Sequence, residues 1–127
     1  RRSSDLNEVQ SVVTKAVGEC DALYIPTDNT IANNTEIVKN VAVPAGIPVV
    51  TGEEGMCSGC GLATLSISYY DLGVKAAEMA YEILTNGADP AQMAIGYVTD
   101  GITEKYNADI AEALNITIPE DMVAIEN

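Results

Sequence analysis

The sequence predicts an α/β fold in which a parallel sheet is flanked by helices on both faces, and three observations carry that reading. Short apolar runs at 22–25 and 48–51 are bounded by turn formers and polar residues, as buried parallel strands are. Stripes of apolar residues at helical spacing precede, separate and follow those runs. The strand–helix order repeats along the chain, which is the order that parallel pairing requires. At 127 residues the chain is one domain or part of a larger one, long enough to bury a core.

Taken in order, Asp5 with Glu8 three residues on has capping-box spacing. Leu6, Val9, Val12, Val13, Ala16 and Val17 then form one helical stripe that ends near Gly18. The strand at 22–25 follows and breaks at Pro26. A second helix is expected over about 31–43, with Ile37, Val38, Val41 and Ala42 inward, stopping before Pro44 and Gly46. A strand at 48–51 leads into a glycine-rich turn through Gly61. Residues 62–68 alternate as a third strand. A long helix is expected from Tyr70 to Leu84, with Leu72, Ala76, Met79, Ala80 and Ile83 inward and Asn86-Gly87 as its cap. A fourth strand is expected at 94–98 and a last helix at 104–114, before an extended tail from Ile116 to Pro119. No internal repeat or low-complexity run is present.

Nineteen acidic residues against six basic ones give a net charge of -13. Such a surface repels nucleic acid and anionic membranes and favours cationic or zwitterionic partners. The bases are Arg1, Arg2, Lys15, Lys39, Lys75 and Lys105, scattered along the chain, so no interior guanidinium is available to clamp a carboxylate or phosphate. No run is apolar enough to span a membrane, and no signal peptide is seen. The chain opens on Arg1-Arg2-Ser3-Ser4 without an initiating Met, as a processed or excised segment would.

Catalytic patterns are thin. The chain has no histidine, which removes Ser-His-Asp and Cys-His nucleophile systems and the commonest transition-metal ligand. Neither GxxxxGK[ST] nor GxGxxG spacing occurs, so no phosphate cradle and no cofactor is indicated. Glu53-Glu54 follows a strand, where two carboxylates suit acid–base work or a cation, or else one is solvated while the other holds a loop or a ligand amine. Cys57-Ser58-Gly59-Cys60 has redox spacing, but the surrounding glycines read as a tight turn rather than a helix start; a local disulfide is the other reading. Among the tyrosines, Tyr24 reads as core. Tyr69-Tyr70 stands where a strand hands over to a helix, so one ring is placed to project into a cleft, with ordinary packing the favoured reading for each ring taken separately.

The polar set at the strand end, Thr27, Asp28 and Asn29, lies where open α/β sheets bind small ligands. Three stretches extend that pattern: Asp21-Ala22-Leu23-Tyr24-Ile25-Pro26-Thr27-Asp28-Asn29-Thr30, Ile47-Pro48-Val49-Val50-Thr51-Gly52-Glu53-Glu54-Gly55-Met56, and Gly61-Leu62-Ala63-Thr64-Leu65-Ser66-Ile67-Ser68-Tyr69-Tyr70-Asp71-Leu72-Gly73. Together with Ala88-Asp89-Pro90 and Leu114-Asn115-Ile116-Thr117-Ile118-Pro119-Glu120, the chain resembles the C-terminal part of ABC transporter substrate-binding proteins of the tryptophan and tyrosine uptake family. The resemblance covers almost the whole chain in order.

That resemblance implies a periplasmic-binding-protein type I architecture: two α/β lobes that close over a ligand by a hinge. It makes 1–127 a C-terminal substrate-binding lobe, with a segment at about 62–86 that belongs to the other lobe in a full protein. It implies a non-enzymatic, bacterial lipoprotein outside the cytoplasm, capturing an amino acid, with an aromatic one named by the family, and delivering it to an ABC permease. On this reading Asp28 meets the ligand ammonium, with Glu53 or Glu54 as second candidates; the other reading of Asp28 is a cap on the helix that follows it. Thr27, Asn29, Ser68 and backbone N–H groups, or the other lobe, donate to its carboxylate, and Met56 with Tyr69 or Tyr70 walls its side chain. The helix after Asn29 would aim its positive end at the cleft. Two positions depart from the pattern: Cys57 and Cys60 stand where relatives carry other residues, and Ser68 stands where aspartate is common. Two alternatives remain. One is a divalent-cation or receiver-like domain using Asp28, Glu53 and Glu54. The other is a non-binding fragment that forms a homodimer by segment exchange.

Overall fold

The computed structural model describes residues 6–99 and 101–126, with backbone only for Leu6 and Asn7. The chain divides into two compact units. One runs to Ser66 and resumes at Thr103; the other is Ile67–Ile102.

In the first unit, α1 (Leu6–Val17), β1 (Leu23–Ile25), α2 (Asn29–Ala32), α3 (Thr35–Ala42), β2 (Val49–Thr51), α4 (Glu54–Cys60) and β3 (Ala63–Ser66) follow one another. The second unit holds α5 (Tyr69–Asn86), and the first then resumes with β4 (Thr103–Tyr106), α6 (Ala108–Leu114) and β5 (Val123–Ala124). The sheet has the order β1-β2-β3-β4-β5. Leu23 lies opposite Val49, and Thr51 opposite Thr64, in parallel register. β3 and β4 are antiparallel, with Thr64 opposite Lys105, and β4 and β5 are parallel. The sheet is therefore mostly parallel, as expected, with one reversal where the chain returns from the second unit.

The core gathers Val9 and Val13 of α1, Val38 and Ala42 of α3, Ile25 and Val49 of the strands, and Met56 and Cys60 of α4. A second cluster centres on Leu62, Ile110 and Ala111, with Ala63 and Tyr106 packed against it. Helices cover the sheet unequally. Alternation puts Tyr24, Val50 and Leu65 on one face, and these stay 67%, 39% and 56% exposed.

Several sequence-based expectations change. The helix expected at 31–43 is two pieces, because the Asn34 side chain donates to the Thr30 carbonyl at 2.8 Å and competes with the helical ladder. The expected glycine-rich turn is α4. Its glycines serve close approach: a Cβ on Gly59 would collide with the Thr35 side chain of α3. The strand at 62–68 shortens to four residues. No strand forms at 94–98, where Ile95 and Tyr97 are exposed. The helix expected at 104–114 is β4 followed by α6, divided at Asn107, whose Oδ1 accepts from Asp109 N and Ile110 N. The tail contributes β5, which the sequence reading did not contain. Tyr24 is exposed rather than core, and Val12 is partly exposed. The Asp5 cap and the Leu6 side chain lie outside the described residues.

In the second unit, α5 starts at Ser68, whose Oγ accepts from Asp71 N at 3.1 Å, and ends at Gly87 in the left-handed region (φ 70°). No residue of α5 is buried, so the expected inward stripe from Leu72 to Ile83 has no counterpart in the described structure.

Met56 is fully buried at the centre of the first unit. Met56→Ala is expected to cost about 2–5 kcal/mol of unfolding free energy in a urea titration. A loss well under about 1 kcal/mol would show that α4 is not part of the core.

Candidate functional site

The carboxyl ends of β1 and β2 each hand over to a helix through an acidic cap. At β1, Asp28 Oδ1 accepts from Thr30 N at 2.8 Å and Ile31 N at 3.1 Å. At β2, Glu53 accepts from Gly55 N at 2.8 Å through one oxygen and from Met56 N through the other. Capping of this kind satisfies the unpaired N–H groups of a helix start. It also answers an expectation. Thr30 N and Ile31 N at the start of α2 are taken by Asp28 itself, so those two groups are not available to a ligand carboxylate.

Gly52 brings the two loops together. Its N–H donates to the Ile25 carbonyl at 2.9 Å, and a Cβ there would stand 2.7 Å from both Thr27 N and Thr27 Oγ1. Glycine is required by that approach, which sets Thr27 beside the β2 loop that carries Glu53. Thr27, Asp28 and Asn29 are all exposed, with Asn29 opening α2.

Glu54 differs from its neighbour. Its Oε2 accepts from Lys105 Nζ at 2.7 Å and from Ser66 Oγ at 3.2 Å. The Lys105 hydrogen bond holds the Glu54 carboxyl below its ordinary value, against an opposing effect of burial, with the Lys105 charge and Ser66 adding to the lowering. Sequence reasoning placed neither Lys105 nor Ser66 in the site. Their partner lies far along the chain, and by sequence 104–106 reads as the start of a helix.

The three acids at these strand ends are thus unequal. Both Glu53 oxygens are engaged as caps, and Glu54 is ion-paired. Asp28 keeps Oδ2 without a partner among the described residues. Met56 is in the core, which removes it as a ligand wall. Ser68 and Tyr69 belong to the second unit, where Ser68 caps α5 and Tyr69 is exposed. Among the described residues no group of three His, Cys, Asp or Glu is arranged to hold a metal.

A cavity of about 500 Å³ lies between α1 and β1, lined by residues such as Val9, Val13 and Leu23 and reaching Thr27 and Asp28. β1 is an edge strand, and an edge leaves a groove whatever the function, so the cavity by itself assigns nothing.

Cys57 and Cys60 lie on α4 rather than in a turn, and both are buried and free. Burial pushes the Cys57 thiol up to about 11 and the Cys60 thiol up to about 12. Thiolates are the reactive species, so these cysteines are inert at neutral pH.

The profile of the family described as ABC transporter substrate binding protein matches residues 2–126. A tyrosine-binding protein of Clostridioides difficile strain R20291 is 43% identical over 81 residues, which is 64% of this chain and 24% of that protein. A ligand-free, open structure of a Clostridium difficile substrate binding protein with adhesive properties is 34% identical with a TM-score of 0.73. It covers 99% of this chain and 43% of that one. A Streptococcus pneumonia ABC domain solved with L-Trp is 32% identical, TM-score 0.78, over 93% of this chain and 41% of that one. The chain belongs to the ABC transporter substrate-binding protein family. It spans about two fifths of the length of these solved structures and 24% of the curated relative.

Two measurements check this geometry. Native protein treated with iodoacetamide near neutral pH should label at the exposed Cys20, with Cys57 and Cys60 reacting only after denaturation; rapid native labelling of either would contradict the buried α4 face. The Glu54 carboxyl has a lower pKa folded than unfolded, so its pairing stabilises above the ordinary carboxylate range and is lost as pH falls through the lowered value. Both side chains are partly exposed, so the contribution is at most about 1 kcal/mol. Denaturant titrations should show the gap between wild type and Lys105→Met shrinking on acidification; a pH-independent gap would contradict the pairing.

Proposed function

We propose that this chain is the greater part of the second lobe of an extracytoplasmic solute-binding component of an ABC importer, one that captures an aromatic amino acid between two lobes. Family membership over residues 2–126 supports the class. The tyrosine-binding name of one relative and the L-Trp in one structural neighbour support the aromatic ligand. The protein carries its solute to a permease from the outer face of a bacterial cell membrane, tethered as a lipoprotein, and performs no chemistry on it.

One observation carries the assignment of the ammonium site: among the described residues Asp28 combines a carboxylate oxygen without a partner with the absence of an ion pair, whereas both Glu53 oxygens are caps and Glu54 is paired with Lys105. An ammonium needs such an acceptor, and a charge-assisted hydrogen bond is the strong kind. Thr27 and Asn29 lie beside it as donors to the ligand carboxylate. In the same reading Glu53 and Glu54 shape the loop rather than touch the solute.

The segment expected to cross to the other lobe, about 62–86, is redrawn as beginning after Ser66, because β3 is hydrogen-bonded into the first sheet. The compactness of Ile67–Ile102 as its own unit, and the absence of any buried residue on α5, support such a crossing.

Asp28→Asn is the sharpest test, since asparagine also caps helices well and the change removes only the charge. In the complete two-lobed protein, calorimetric titration with L-tyrosine and L-tryptophan should show affinity reduced by about 1.5–3 kcal/mol with the melting temperature nearly unchanged. Affinity equal to wild type would remove Asp28 from the site.

A further inference from the structure

Resting on the solute-binding reading, the Lys105–Glu54–Ser66 cluster holds a second kind of residue for the same site. Of the ion pairs among the described residues, Lys15–Glu19 and Lys75–Glu78 join residues four and three positions apart. Lys105–Glu54 joins residues 51 positions apart, with Lys105 Nζ 2.7 Å from Glu54 Oε2. The side chains are 27% and 40% exposed, less than either local pair. Ser66 Oγ donates to the same Oε2 at 3.2 Å, so one oxygen gathers α4, the last residue of β3, and β4.

The position of this oxygen matters. Glu54 opens α4, directly after the Glu53 cap and two residues beyond Gly52, where the β1 and β2 loops touch. Lys105 sits on β4, the strand on which the chain re-enters the first unit after Ile67–Ile102, and it pairs across the ladder with buried Thr64. The cluster therefore ties the returning strand to the first turn of the helix that shapes the strand-end loops. A single cation does this in a chain with six bases against nineteen acids.

We infer that Lys105 is a positioning residue for solute binding, holding Glu54 and with it the first turn of α4 in register with the Thr27–Asp28 loop. It does not contact the solute. Its ammonium is engaged by Glu54 Oε2, the oxygen that also accepts from Ser66. A loop displaced by a fraction of an ångström is enough to weaken a site built from a few polar groups. A lysine-for-methionine change keeps the length and apolar stem of the side chain and removes only the ammonium.

The test uses the complete two-lobed protein with L-tyrosine and L-tryptophan as probes, titrated against wild type, Lys105→Met, Lys105→Arg, Glu54→Gln and the Glu54→Gln/Lys105→Met double variant. Melting temperatures are read alongside. Positioning predicts that Lys105→Met and Glu54→Gln each raise the dissociation constant about tenfold, and that the double variant is no worse than either. It predicts that Lys105→Arg restores affinity to within about threefold of wild type, since arginine also pairs with a carboxylate. Wild-type affinity in Lys105→Met overturns the inference. So does a lowered melting temperature with affinity unmoved, which is what a purely structural pair would give, and so does additive loss in the double variant. If wild type binds neither amino acid, the solute-binding reading itself fails, and this inference with it.

Discussion

The fold turns on a helix too short to stand alone. α4 has seven residues, two of them glycine, and an isolated helix of that length does not form in water. It forms here because Met56, Cys57 and Cys60 are buried, because Glu53 satisfies its first N–H groups, and because Asn107 Nδ2 donates to the Cys57 and Ser58 carbonyls at 3.2 and 2.8 Å. Those three supports come from the core, from the β2 edge and from the β4–α6 junction. α4 thus links elements distant in sequence, and the strand-end loops inherit its position.

That dependence explains what could and could not be read from the residues. The runs at 22–25 and 48–51 were legible because a buried parallel strand is marked locally, by a short apolar run and the turn formers after it. Their polar ends were legible for the same reason: parallel register brings both carboxyl ends to one edge, and Thr27, Asp28 and Glu53 follow. α4 was not legible, because Gly-Met-Cys-Ser-Gly-Cys has little helix preference and its stability is tertiary. β4 was not legible either. Thr103-Glu104-Lys105-Tyr106 lacks an apolar alternation, and the residue paired with buried Thr64 is a lysine whose partner lies 51 positions away. Which acid is free and which is engaged depends on caps and pairs of this kind, so Asp28, Glu53 and Glu54 stood as equals of type until the structure separated them.

The same geometry sets the balance between rigidity and access. Buried thiols at 57 and 60 behave as small core residues, and Gly52 and Gly59 allow backbones and helices to approach where a side chain would not fit. The exposed Tyr24 and Val50 lie in register, and exposed Leu65 shares their face two residues beyond Ala63, the partner of Val50. In α/β sheets such a face is ordinarily covered by a helical layer, and the chain spans about two fifths of the solved structures it resembles.

Native mass spectrometry of the complete two-lobed protein, with and without a mixture of free amino acids, tests the central claim most directly. The account predicts one bound solute per chain, with a mass increment equal to an aromatic amino acid. A protein that stays at its bare mass across the whole mixture would contradict solute capture.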